Sequence, residues 1–395
     1  MEQASTARTR PPLHVVQVSW DASIMQLDAP SDAAERQELY ARLLEVKRPG
    51  SRMTMVVLGA EAEMRRTGRD GLIIETVAGR WAGVLRLPRV LRRLDAERPI
   101  SVIAPQSPLE DGWASLAFSR GRVPVVAQVH FDILSDAALP GGSKARRWLG
   151  RMRRRTALCL LPSYAAVRTV APDMSARLLA LGARWTRPIP VPVLDLNALL
   201  QLEPRDHQCN VLFVGRLAPE KNLELWLAVA QRVVAVMPDA QFNIIGDGAL
   251  RPALEARTRQ LGLDASVTFH GATPRADLPN VYARASVLLL TSDHEGFGRV
   301  LVEAMAAGVA VVSTQTAGAQ EVLGAGEVGI LAPVGDAEAL ATGVLRLLRD
   351  TPYRAGLVAM GRRHVTERYG PLMLAGQWVD MLIEAAEQRI ARPSR

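Results

Sequence analysis

The 395-residue sequence predicts an α/β protein of two domains, each built on a doubly wound parallel sheet. Short β-branched runs alternate with helical patterns along the chain, as in parallel sheets with helices on both faces. The alternating prolines Pro188, Pro190 and Pro192 cannot continue a helix or a central strand, so they mark the approach to a linker. We therefore expect a flexible tail over 1–12, domains over 13–194 and 209–365, a linker over 195–208, and a helical segment over 366–395 that can cross back to the first domain.

The first half supplies strands that are rich in Val, Ile and Leu, which is typical of parallel strands buried on both faces. Strands are predicted over 13–19, 53–58, 72–77, 100–104, 123–129 and 157–161, with a helix over 32–46. The loop after the first strand has the sequence S-W-D-A-S-I-M, from Ser19 to Met25.

The second half alternates more regularly. Strands are predicted from Asn210 onward and over 241–246, 266–270, 286–291, 309–313 and 328–331, with helices over 222–236, 250–261, 278–285, 299–307 and 337–348. This regularity predicts a Rossmann-like domain, in which ligands bind at the carboxyl ends of the strands. The pattern from 354 to 390 is also helical.

The composition limits the classes of partner that this protein is expected to bind. A net charge of +8 and a pI near 10.1 favour an anionic partner. Nucleic acid is not expected, because the five tyrosines and six phenylalanines are not interleaved with the basic clusters. Cys159 and Cys209 are too few and too far apart for a disulfide framework or a thiolate metal site, so a reducing cytoplasm is the expected compartment. No signal peptide or membrane span is predicted, which leaves attachment to a membrane surface open.

The segment S-D-H-E-G-F-G-R-V-L-V-E-A-M-A-A-G, residues 292–308, predicts a strand end, a glycine loop and a helix start. A helix start presents unpaired N–H groups, so Gly298, Arg299 and Val300 are candidates to hold a phosphate. Glu303 lies among apolar residues of this helix. If that face is buried, its carboxylate needs a partner such as the hydroxyls of a ribose or sugar; otherwise it is a solvated surface residue.

Three other strand ends carry candidate residues. In F-V-G-R-L-A-P-E-K-N, Gly215 ends a strand, and Arg216 and Lys221 suit a diphosphate unless they are ordinary solvated cations. Glycines that let backbone approach a ligand occur in I-I-G-D-G and A-G-A-Q-E-V, at Gly246, Gly248 and Gly318. Neither G-x-G-x-x-G after a strand nor a P-loop motif is present, which disfavours nicotinamide or flavin enzymes and P-loop nucleotidases.

Together, these four motifs resemble those of the retaining glycosyltransferases of family 4, in the same order and spacing over about residues 205–350. The resemblance implies the GT-B fold class: α/β, with two facing Rossmann-like domains, parallel sheets and an interdomain cleft. It also implies transfer of a hexose from a UDP- or GDP-sugar donor to a glycan, glycolipid or lipid-linked acceptor, as in bacterial polysaccharide or glycoconjugate synthesis. The donor is a substrate, and the resemblance implies neither a metal nor a cofactor.

The same resemblance assigns roles to residues. Arg216 and Lys221 would hold the diphosphate, Glu295 would contact the donor sugar, and Glu303 would bind the ribose. Backbone atoms of Gly296, Phe297 and Gly298 would meet the sugar and phosphates.

The first half matches the family less well. His130, in Q-V-H-F-D, resembles the family's histidine near the donor sugar, with a structural histidine as the alternative. Ser163 is a weaker positional match. Ser19 to Met25 stands where the family has a paired-glycine loop, so contacts from this loop are not implied.

Two basic stretches belong to the half that binds the acceptor in this family. K-A-R-R-W-L-G-R-M-R-R-R begins at Lys144 and ends at Arg155, and R-W-A-G-V-L-R-L-P-R-V-L-R-R-L-D-A-E-R begins at Arg80 and ends at Arg98. They predict helices that lie on an anionic membrane surface or, alternatively, ordinary solvated helices. Two other functions stay open, a nucleotide-sugar epimerase and a catalytically silent nucleotide-sugar-binding protein.

Overall fold

The computed structural model describes residues 10–25, 31–68, 71–134, 144–203 and 209–390. The chain forms two compact units, one of Met1–Ile189 with Leu372–Arg395 and the other of Pro190–Pro371. The division after Ile189 comes earlier than the expected linker over 195–208, and part of that segment is helical. None of the described helices is long and apolar enough to cross a bilayer.

The first unit contains eight described strands. The order β3-β4-β2-β1-β5 forms one sheet, parallel except for the β3–β4 pair, and β6-β7-β8 forms a second, parallel sheet. A parallel bridge between Ile103 and Val125 links the two sheets. The strands are β1 His14–Ser19, β2 Arg52–Ala60, β3 Arg65–Thr67, β4 Ile73–Ala78, β5 Val102–Pro105, β6 Val126–Val129, β7 Ala166–Thr169 and β8 Thr186–Pro188.

Helices pack on these sheets through apolar faces, such as the fully buried Leu87, Leu91 and Leu94 of α2. The described helices of this part of the chain are α1 Asp32–Lys47, α2 Arg80–Glu97, α3 Glu110–Ser119, α4 Lys144–Leu160 and α5 Pro172–Ala180.

In the second unit, six parallel strands form a single sheet in the order β11-β10-β9-β12-β13-β14. Its core includes Trp226, which stacks edge-on against Phe213 and Phe242. The strands are β9 Asn210–Val214, β10 Gln241–Ile245, β11 Val267–Gly271, β12 Val287–Leu290, β13 Ala310–Thr314 and β14 Ile330–Ala332. The helices are α6 Leu196–Leu200, α7 Leu223–Val236, α8 Arg251–Gln260, α9 Leu278–Tyr282, α10 Arg299–Ala306, α11 Ala317–Val322, α12 Ala337–Arg349 and α13 Thr351–Arg368.

The final helix, α14 Pro371–Ile390, packs on the first unit. The ring of its buried Trp378 lies 4.8 Å from the guanidinium carbon of Arg168. Glu384 pairs with Arg187 at 2.8 Å, and Asp380 accepts from Lys47 at 2.7 Å. A buried tryptophan and these ion pairs therefore tie the end of the chain to the first unit.

Two predictions for the first unit are wrong. Residues 157–161 are not a strand: α4 runs through Leu160, with Ala157 buried and Cys159 exposed, because the apolar positions follow a helical spacing. Ser163 accordingly lies in a short 3-10 turn, Leu161–Ser163, instead of at a strand end. The strands that follow α4 along the chain are β7 and β8. β8 is an edge strand that ends at Pro188, and the missing N–H of a proline is tolerated at a sheet edge.

Candidate active site

Three neighbouring strands of the second unit, β9, β12 and β13, end at one edge of the sheet, and their loops interlock there. The Thr291 hydroxyl lies 3.0 Å from the carbonyl oxygens of both Lys221 and Asn222, to which it donates. On the other side, the Thr314 hydroxyl donates to the Ser292 carbonyl at 2.6 Å. Because these hydroxyls are buried, their hydrogen bonds fix the loop after β12 between its two neighbours.

Lys221 and Glu295 form an ion pair at the centre of this edge. The Nζ–Oε2 distance is 2.6 Å, and each side chain is only 16% exposed. Two residues that are 74 positions apart in the sequence are therefore held together by the loops after β9 and β12. An ammonium group has three donors, so Lys221 keeps hydrogen-bonding capacity for a further negatively charged oxygen.

Asn222, the residue after Lys221, holds this part of the loop in place through two side-chain hydrogen bonds. It adopts a left-handed conformation, with φ 45°, and its side-chain oxygen accepts from the Leu225 N–H, which caps α7. Its side-chain amide donates to Asp293 at 2.7 Å. The helix predicted over 222–236 begins at Asn222, but Asp293, which also lies within the quoted motifs, was not predicted as its partner.

Glu303 is partly buried and already has partners within the protein. Its carboxylate accepts from the Tyr282 hydroxyl at 2.8 Å and lies 3.6 Å from Arg299, and its side chain is 14% exposed. The alternative of a solvated glutamate is therefore excluded. Burial and the Glu303 charge raise the pKa of Tyr282 well above its usual value, which keeps the phenol protonated as a donor. Tyr282 was not predicted, because it lies on another helix, α9.

The glycines of the loop before α10 meet tight packing requirements. Gly298 precedes α10 with φ 82°, and a Cβ there would lie 2.8 Å from Leu301 Cδ1. Phe297 is buried, with its ring centroid 5.6 Å from that of Tyr369, so its side chain anchors the loop. Gly318 donates its N–H to the Glu295 carbonyl at 3.1 Å, and a Cβ there would lie 2.7 Å from that oxygen.

Gly246 and Gly248 are required by backbone packing, which supports the alternative interpretation of their motif as a tight strand-to-helix turn. A Cβ on Gly246 would lie 1.9 Å from the Gly215 carbonyl oxygen, and one on Gly248 would lie 2.4 Å from the Leu217 carbonyl oxygen. The Leu217 N–H donates to the Asp247 carbonyl at 3.0 Å. These glycines let the loops after β9 and β10 pack backbone against backbone.

Arg216 is at the same edge but apart from the central ion pair. Its side chain is 79% exposed and contacts Glu220 at 3.0 Å. Both cations of this loop are thus present at the strand ends, one partly buried and one on the surface. Arg299 and Val300 open α10 and are half-buried.

His130 follows β6 in the first unit, at a strand end as predicted. Its Nδ1 atom is buried and has no hydrogen-bond partner among the residues that the structure describes. Burial, followed by the charges of Arg168 and Arg36, lowers the pKa of His130 to about 3, so the imidazole is neutral at physiological pH. The alternative interpretation, a structural histidine held by hydrogen bonds, does not account for an Nδ1 atom that has no partner among the described residues.

The loop after β1 is held by side chains. The Ser19 hydroxyl donates to Gln106 Oε1 at 2.6 Å and accepts from the Asp21 N–H at 3.0 Å, while the Trp20 N–H also points to Gln106. Nothing in the sequence motif indicated Gln106, which comes from the loop after β5.

Comparison with known proteins identifies the family. Residues 201–364, which include the interlocked loops, match the model described as glycosyl transferases group 1. A GDP-mannose-dependent alpha-mannosyltransferase of Mycolicibacterium smegmatis is 30% identical over 298 residues, which cover 73% of this chain and 74% of that protein. The chain belongs to the group 1 glycosyltransferases.

A further relative matches this glycosyltransferase over a shorter segment, and a solved structure matches it over nearly its full length. A 2-deoxystreptamine N-acetyl-D-glucosaminyltransferase of Niallia circulans is 31% identical over 161 residues, so the chain spans only 41% of that relative's length. The structure of HepE from Anabaena in complex with UDP and glucose superposes with a TM-score of 0.72 at 21% identity, over 94% of this chain and all of that one. This match and the two Rossmann-like halves confirm the predicted GT-B fold class.

Proposed function

We propose that this glycosyltransferase moves a hexose from a UDP- or GDP-sugar to a glycan, glycolipid or lipid-linked acceptor, with retention of anomeric configuration and without a bound metal. The observation that carries the proposal is the partly buried Lys221–Glu295 pair beside the start of α10. Both donor classes are supported by similarity, since one relative is named for GDP-mannose and the HepE structure contains UDP and glucose.

Departure of a nucleoside diphosphate requires compensation of the negative charge that develops on its terminal phosphate. Lys221 and Arg216 supply cations, and Gly298, Arg299 and Val300 begin a helix whose N–H groups and dipole favour an anion. Placed in a partly buried site, such groups stabilise the transition state more than they would in water.

The carboxylates then orient the donor. Glu295, fixed by Lys221, accepts hydrogen bonds from sugar hydroxyls, and Glu303 accepts from the ribose. Glu303 has capacity for this because a carboxylate offers about four lone-pair sites, and Tyr282 uses one. Fixed acceptors of this kind hold the anomeric carbon in position for attack.

In the proposed reaction, the bond between the anomeric carbon and the phosphate oxygen breaks, and the acceptor oxygen bonds to the same face of that carbon. The acceptor proton passes to the leaving phosphate oxygen, so no side-chain base is required. Because the acceptor attacks the face from which the diphosphate departs, retention needs no side-chain nucleophile. The expected contact of His130 with the donor sugar remains a prediction.

Substitution of the ion pair tests the site. Lys221→Ala is expected to lower turnover of UDP-glucose or GDP-mannose by about 100-fold or more, because one charge-stabilising group is lost at the leaving diphosphate. Glu295→Ala should have an effect of similar size. Released UDP or GDP is measured with and without a panel of glycan and lipid-linked acceptors, and addition of EDTA should change nothing.

The double variant Lys221→Ala/Glu295→Ala is the folding control, because it leaves neither charge buried alone. Arg259→Gln, on the exposed surface of α8, is the matched charge control. Unchanged transfer in the Lys221 and Glu295 variants would refute the site. Interconversion of donor sugars without an acceptor would indicate an epimerase, and donor binding without any turnover would indicate a silent binding protein.

A further inference from the structure

Most side chains of helix α4 are exposed or only half-buried along its length. It has 17 residues, yet only Gly150 and Ala157 are buried. Trp148, at 62% exposed, Leu149 and Met152 all point away from the core. In proteins, helices gain most of their stability by packing an apolar face, so three large exposed apolar side chains on one helix indicate a surface that binds something else.

Three arginines on α4 also lack a carboxylate partner among the described residues. Arg147, Arg151 and Arg155 are exposed and follow each other at a spacing of four, which places them in one row along the helix. The helix contains no acidic residue, and within the described residues no carboxylate pairs with these three arginines. Like charges at this spacing destabilise a helix, so an anionic partner would relieve the repulsion.

Helix α2 carries a similar exposed set of side chains near α4. Trp81 and Leu85 are 60% and 78% exposed and lie one turn apart on the same side of α2, and Arg89 is exposed one turn further on. Trp81 and Arg153 of α4 both line a cavity of about 240 Å³, so the start of α2 lies close to α4. The side chain of Arg153 is itself paired with Glu110, which fixes α4 at this place.

We propose that this surface, formed by Trp81, Leu85 and Arg89 of α2 and by Arg147, Trp148, Leu149, Arg151, Met152 and Arg155 of α4, docks on an anionic phospholipid bilayer. Tryptophan favours the level of the headgroups, leucine and methionine enter the acyl boundary, and arginine binds lipid phosphates. The proposal concerns the first unit and does not depend on the reaction assigned to the second.

A bilayer fits this chemistry better than the alternatives. A second copy of the chain would bring two rows of uncompensated arginines together, which is repulsive. Nucleic acid would satisfy the arginines but not the leucine and methionine, which gain free energy only by leaving water. An anionic bilayer satisfies both sets of side chains.

Vesicle co-sedimentation of the full chain, without donor or acceptor, tests the proposal. We expect binding to vesicles of equimolar phosphatidylglycerol and phosphatidylcholine at low salt, little binding to pure phosphatidylcholine, and release at high salt. The triple variant Arg147→Gln/Arg151→Gln/Arg155→Gln should weaken binding by about 100-fold, on the basis of about fivefold per arginine. Trp148→Ser should weaken binding and reduce the quenching of tryptophan fluorescence by brominated lipid, and the double variant Trp81→Ser/Trp148→Ser should remove most of the quenching that remains.

The matched control is Arg232→Gln/Arg259→Gln/Arg363→Gln, which removes three exposed positive charges from helices of the second unit. Circular dichroism checks that all variants are folded. Equal losses of vesicle binding in the two triple variants would reduce the effect to net charge and overturn the proposal. A wild-type dimer that ignores vesicles and dissociates on Trp148→Ser would overturn it in favour of self-association.

Discussion

The two units differ in how closely the backbones of their strand-end loops approach. In the second unit, threonine hydroxyls join the loops, and glycines also bring backbones into direct contact: a Cβ at Gly246 or Gly318 would collide with a neighbouring loop's backbone. In the first unit, side chains connect the loops, as when Ser19 and Gln106 join the segments after β1 and β5. Backbone contact leaves no tolerance for added atoms, whereas side-chain contacts can be exchanged one hydrogen bond at a time. The second unit should therefore be the more sensitive to substitution at its loops.

The largest effect is expected for Gly246→Ala. The added Cβ would lie 1.9 Å from the Gly215 carbonyl oxygen, and φ is 130°, so both the space and the backbone conformation oppose it. We expect the free energy of unfolding to fall by about 3 kcal/mol or more, as measured by urea denaturation.

Gly356→Ala is the matched control for that change. Gly356 lies within α13, and an added Cβ there would meet no atom within 4 Å. Because alanine is the better helix former, this variant should be more stable by up to about 1 kcal/mol. Similar destabilisation by both changes would show that the contact between the loops after β9 and β10 is not as close as described.

A smaller effect is expected in the first unit. Ser19→Ala removes a buried hydroxyl and leaves Gln106 without its 2.6 Å hydrogen bond, which should cost about 1.5 kcal/mol. Ser163→Ala, at an exposed serine, is the control and should leave the melting temperature unchanged. If Ser19→Ala destabilised the chain as much as Gly246→Ala, the proposed difference between the units would fail.

The same difference explains what could be predicted from the sequence. Backbone contacts leave a mark in the sequence, because a position with no room for a Cβ must be glycine, so the motifs around Gly246, Gly248 and Gly318 were visible. The alternation of strands and helices in the second unit was also predictable, because it depends on the local apolar pattern of each element.

Contacts made by long side chains leave no such mark. Tyr282 lies 21 residues from its partner Glu303, and Gln106 lies 87 residues from its partner Ser19. Neither a tyrosine nor a glutamine indicates by its residue type which distant side chain it will contact. The strand predicted over 157–161 was wrong for another reason. A short apolar run is compatible with a buried strand or with the end of a helix, and only its tertiary setting decides which of the two forms.

The last prediction concerns His130 and is a dependence on pH, with almost no effect at neutral pH. Burial beside Arg168 and Arg36 lowers the pKa of His130 to about 3 from 6.5, so between these values the unfolded chain binds a proton that the folded chain does not. This histidine therefore reduces stability as the pH falls below 6.5, by at most about 1.4 kcal/mol per pH unit.

His130→Asn removes that titration, so the stability of the variant relative to the wild type should rise as the pH is lowered from about 7 to about 5. Burial raises the pKa of Asp111 to about 6, which acts in the opposite direction over part of this range but is present in both proteins and cancels in the comparison. His294→Asn, at an exposed histidine, is the control. A stability difference that stays constant with pH for His130→Asn would show that burial and the two arginines do not hold this imidazole neutral, since linkage requires the difference to grow as the unfolded chain takes up its proton.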